Sequence, residues 1–168
     1  MVLKAKRHVG TLAALVMLVS AATPSWPSSL SDGASALRRG DYVTAFRKLR
    51  PLAERGYAEA QAELAFMYQQ GFGVAQDAVM AAHWYLAAAE QGHVAAQYQL
   101  GLLYDKGQGV PPSTVIAYKW LNLAAARAEP RVREYYVRIR DAVASKLAPE
   151  QLAQAQWLAT SWAPRRAR

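Results

Sequence analysis

The chain has 168 residues and no cysteine. That absence excludes a disulfide framework, a thiolate metal site and a cysteine nucleophile together. Histidine is nearly as scarce, with three in all, His8, His83 and His93. A metal site needs two or three converging ligands beyond a lone histidine, and none is spaced for it. No serine, histidine and aspartate set can be assembled either, since the serines cluster in one linker and at helix caps. Acidic residues are fewer than basic ones, 12 against 20, for a formal net charge of +8. Long hydrophobic runs are confined to residues 9–19, too short to cross a bilayer comfortably.

That run explains itself as targeting. Lys4, Lys6 and Arg7 precede it, and Ser20-Ala21-Ala22 follow with the small side chains a signal peptidase accepts. Residues 1–22 are expected to be a signal peptide cleaved near Ala22, with an uncleaved anchor as the alternative. Lipidation is excluded because no cysteine follows the run. Cleavage removes three positive charges, leaving 17 basic against 12 acidic residues and a net charge of about +5. The expected product is periplasmic or secreted and is not an integral membrane protein. Its basic excess suits an acidic protein face or an anionic polysaccharide, while the compartment argues against nucleic acid.

What is present is a repeat. Residues 58–92 slid forward by 36 onto 94–128 give 12 identities in 35 pairs with no gap. Leu64, Tyr68, Gly71, Gly73 and Trp84 fall on Leu100, Tyr104, Gly107, Gly109 and Trp120. Ala60-Gln61 and Ala88-Ala89 fall on Ala96-Gln97 and Ala124-Ala125. A period of this length is the mark of a stacked helical array. Within each copy, apolar residues recur at three and four positions, a glycine closes the first helix, and a capping residue (Asp77 or Ser113) opens the second. The alanines let helix axes approach, and the tryptophan fills space between hairpins.

Ahead of the repeats, residues 23–31 read as a proline- and serine-rich linker, and 32–57 as a half-matched hairpin. Its first helix is expected over 32–39. The second is capped by Asp41, and Pro51 predicts a kink or an early end near Arg50. After the repeats (58–93 and 94–129), residues 130–162 form a closing helix pair, one helix over 130–147 and one starting at Pro149. A basic tail, 163–168, is expected to be disordered.

The pattern A-x-A-Q-x-x-L-[GA]-x-x-Y-x-x-G-x-G-V, then A-x-x-W-x-x-x-A-A, resembles the Sel-one-like repeat, a relative of the tetratricopeptide repeat. The resemblance covers Ala58–Ala128, while Asp41–Gly56 resembles a tetratricopeptide-type hairpin and Asp141–Trp162 resembles the closing segment of small exported bacterial members. The resemblance implies an all-α, right-handed α/α solenoid of about four antiparallel hairpins. It also implies an adaptor or scaffold that holds another protein, in the envelope, on its concave face. Neither enzymatic activity nor a cofactor is expected.

Residues that differ between the repeats are free of packing duty. Glu63, Gln70, Tyr98 and Asp105 are the candidate partner contacts. Arg131, Arg133, Arg138 and Arg140 on the first closing helix are the alternative, as an anionic-polymer surface for envelope or exopolysaccharide assembly. A hydrolase is the third reading and would have to use His83 or His93. Glu59 and Glu63 share a helix face, as catalytic carboxylates might, but a solvated face explains them.

Overall fold

A computed structural model describes residues 28–165. The expected signal peptide, the first part of the expected linker with Trp26, and residues 166–168 lie outside them. Among the described residues are eight α-helices and no strand: α1 Ser28–Arg38, α2 Tyr42–Glu54, α3 Ala58–Gln70, α4 Ala78–Glu90, α5 Val94–Lys106, α6 Thr114–Arg127, α7 Pro130–Ala144 and α8 Pro149–Thr160. Each packs on the next in chain order from α1 to α7, which is the architecture of an α/α solenoid.

The helices start where the capping chemistry predicts. Asp41 accepts the Thr44 N–H, Asp77 those of Val79 and Met80, and Ser113 Oγ that of Ile116. Gly71 and Gly107 close α3 and α5 in the left-handed conformation. The second glycine of each G-x-G has a different task. A side chain at Gly73 would press on the Tyr42 carbonyl, and one at Gly109 would overlap the Ala78 carbonyl. Each interhelix loop thus lies against the first turn of the preceding hairpin's second helix. Only glycine allows backbone to approach backbone so closely.

The repeat's invariant glutamine is also structural. Gln61 Nε2 donates to the Ala53 carbonyl and Gln97 Nε2 to the Ala89 carbonyl, each at 3.1 Å. Both side chains are buried, and each ties a hairpin to the carbonyl end of the one before. Around these ties the core divides into three clusters. Leu30, Leu49 and Leu52 meet Leu64 and Met67 in the first. Tyr85, Leu100, Leu103 and Trp120 form the second, with Tyr98, Tyr118, Leu121 and Val143 in the third.

Four expectations are corrected. The linker does not reach Ser31, because α1 begins at Ser28 and buries Leu30 against α2. Helix α2 does not end near Arg50. It runs through Pro51, whose ring faces solvent, because Leu52 and Ala53 behind it are buried and hold the last turn. Helix α7 stops at Ala144, where Ser145 caps it, rather than at Leu147. The closing helix pair is present but splayed. Both pack on α6 and touch each other little, since α7 sends Val143 to the third cluster while α8 settles through the small Ala155 and Ala159. The start of the tail is held as well: the Arg165 N–H donates to the Glu90 carbonyl at 2.7 Å.

Candidate interaction surface

The first helices of successive hairpins, α3 and α5, leave a groove of about 210 Å³ between them. Glu59, Glu63 and Phe66 line it from α3, Gln99 from α5, His93 from the turn and Tyr85 from beneath. The spacing of three and four along α3 is what puts its contributions on one face.

The groove holds two carboxylates in opposite electrostatic states. His93 caps α5 by accepting the Ala96 N–H on Nδ1 at 3.1 Å, which leaves Nε2 to donate to Glu59 Oε2 at 2.8 Å. That hydrogen bond holds the Glu59 carboxyl below its ordinary range. Glu63 is pushed the other way, first by burial and then by the negative charge of Glu59. No ion pair neutralises Glu63 among the described residues. Below it the Tyr85 hydroxyl, its pKa raised by burial, stays protonated and donates to Gln69 Oε1 at 2.9 Å.

Only one of the four candidate contacts from sequence lies in this groove. Glu63 does. Gln70 is exposed at the end of α3, outside it. Asp105 receives Lys146 Nζ at 2.8 Å on both carboxylate oxygens, so it clamps the end of α5 to the α7–α8 connection. Tyr98 is 7% exposed, and its ring stacks on Tyr136 at 4.1 Å with a 4° interplanar angle. It differs from Ala62 because α7 covers it, so it is a packing residue rather than a contact. The Glu59–His93 pair escaped the sequence reading. Its signal was His93 standing where the preceding repeat has Tyr57, 34 residues from Glu59.

The repeat signature behaves as core. Leu64, Leu100 and Trp120 are buried, and Tyr68, Tyr104 and Trp84 are half-buried between clusters. His83 is exposed and meets the Trp84 ring edge-on. No three histidine, aspartate or glutamate side chains among the described residues converge for a metal ion. The arginines of α7 are partly spent on structure. Arg133 donates twice to the Ala128 carbonyl, and Arg140 reaches Asp141 and Asn122.

Paired helices stacked in one direction, stitched by a buried glutamine and spaced by a G-x-G loop, define a helical-repeat solenoid. Residues 58–93 and 94–128 each match the family model of the Sel1 repeat, so the chain carries two Sel1 repeats. Such repeats generally act as protein-interaction scaffolds. Two solved structures are similar to it. One is a protective antigen from uropathogenic Escherichia coli displaying an SLR fold, with TM-score 0.72 and 33% identity over 79% of this chain. The other is a Sel1 repeat protein from Oxalobacter formigenes, with TM-score 0.57 and 34% identity over 61% of this chain. The chain spans 28% of the first and 41% of the second. No curated protein matches it. No helix among the described residues is long and apolar enough to cross a membrane.

Proposed function

We propose that this chain is a non-catalytic, exported adaptor that binds a protein partner across the α3–α5 groove, with Glu63 receiving a lysine or arginine of that partner. The observation that carries the reading is the state of Glu63. Burial disfavours its charge and Glu59 repels it, outweighing the pull of His93 and Arg38, and no cation among the described residues forms an ion pair with it. In a chain with a basic excess, this is a local reversal of sign at the edge of an apolar groove. A partner's cation entering there neutralises a carboxylate that folding has left without an ion pair.

The test is capture of partners from cells by the tagged protein. Glu63→Arg is expected to lose the captured protein by tenfold or more while circular dichroism and melting stay near those of the parent. Undiminished capture would contradict the reading. The anionic-polymer alternative is weaker, since Arg133 and Arg140 serve the fold. Export has its own test. N-terminal sequencing of protein from the envelope fraction should begin at Thr23, and recovery of the intact N-terminus from the cytosol would contradict export.

A further inference from the structure

The carbonyl ends of α4 and α6 meet in a notch at Gly92, next in sequence to the His93 that lines the α3–α5 groove, and residues 162–165 of the chain pack into it. Trp162 lies edge-on to Trp120 at 6.0 Å, under the Arg127 guanidinium at 4.9 Å. Three residues later Arg165 binds Glu90 twice, its backbone N–H to the carbonyl at 2.7 Å and Nη1 to Oε2 at 2.9 Å. Gly92 faces Pro164, Trp162 and Arg127. An aromatic anchor, a cation over its face, and paired main-chain and side-chain bonds to one glutamate are the elements of peptide recognition.

A second observation concerns what Arg127 gives up. In the first repeat Gln91 Nε2 donates to Gln61 Oε1 at 2.7 Å. The residues 36 positions on are Arg127 and Gln97. Gln97 is 0% exposed, and its Oε1 has no hydrogen-bond partner. Arg127 therefore stands in the frame of the missing donor but is turned to the indole of Trp162. We infer that the α4–α6 notch is a peptide-binding site for a tryptophan followed three positions later by an arginine, occupied here in cis, and that Arg127 is its toggle. With the notch filled, Arg127 covers the indole. With it empty, Arg127 donates to Gln97 and restores the bond that the first repeat makes. Each arrangement offers the guanidinium one partner, so the site can be vacated without leaving both groups unpaired.

The experiment uses the full chain and a synthetic peptide of residues 160–165. The indole resonance of Trp120 is followed while the peptide is added to the parent and to Trp162→Ala. The cis segment acts at high effective concentration, so the parent should resist the peptide. Trp162→Ala should bind it saturably and at least tenfold more tightly than the parent, and a peptide with alanine for tryptophan should not bind. No saturable shift in Trp162→Ala, or equal shifts in both proteins, overturns the site. Should Trp162→Ala fail to fold by circular dichroism, Arg165→Glu opens the notch from its other end, and the same outcomes decide. The toggle is read by amide hydrogen exchange in Arg127→Gln. Exchange at Arg165 should accelerate at least tenfold while exchange in α5 around Gln97 slows. An Arg165 amide as protected as in the parent overturns the role of Arg127.

Discussion

Two tryptophans at one repeat position do unequal work. Trp120 is 3% exposed within the second cluster, whereas Trp84 is half-buried, joins two clusters and leaves its indole N–H without an acceptor. Trp120→Ala should therefore destabilise by about 3–5 kcal/mol and Trp84→Ala by less, measured by chemical denaturation. Equal losses would contradict the assignment. The groove carboxylates differ in sign as well as in size. Glu59 is depressed, so its contribution is present above the ordinary carboxylate range and lost as pH falls through its folded pKa. Glu63 is raised, so its charged form costs stability above its folded pKa and the cost disappears on acidification. Melting temperature against pH should show Glu59→Gln less stable near neutrality, with a weaker fall toward acid. Glu63→Gln should be more stable near neutrality, even as it weakens partner capture. A residue that lowers stability while serving binding is the signature of a site rather than of a solvated surface.

At the scale of elements, the G-x-G loops set the spacing of hairpins. Gly56 and Gly109 both have positive φ, but a side chain at Gly56 meets open space while one at Gly109 strikes the Ala78 backbone. Gly56→Ala should cost about 1–2 kcal/mol, the price of the left-handed backbone alone. Gly109→Ala should cost clearly more in the same denaturation assay, and equal costs would contradict backbone-to-backbone stacking. The two repeats were legible in the sequence because helical period, caps and glycines all speak in one frame. Glu63 was legible as a residue that packing does not dictate. Tyr98 and Asp105 met the same criterion and were misassigned, because the chain that occupies them, α7 and Lys146, lies 38 and 41 residues further on and outside the repeat frame. Pro51 misled for a related reason. Local propensity marks a break, but burial of Leu52 and Ala53 overrides it.

At the scale of the molecule, the array is short and its ends are closed by different means. Helix α1 buries Leu30 at one end, while α7 and α8 straddle α6 at the other and the chain returns to Glu90. Between them the α3–α5 groove is an inter-repeat surface that holds a half-buried carboxylate, Glu63, with no ion pair among the described residues. A surface of two repeats gives a limited contact area, so a charge placed in a partly desolvated groove contributes more to partner choice than area does. The measurement that tests this most directly is photo-crosslinking in cells, with a photoreactive residue at Gln99 inside the groove or at Gln154 on the exposed side of α8. The account predicts one discrete protein adduct from position 99, lost in the Glu63→Arg background, and none of that size from position 154. An adduct from 154 alone, or one from 99 that survives Glu63→Arg, would contradict it.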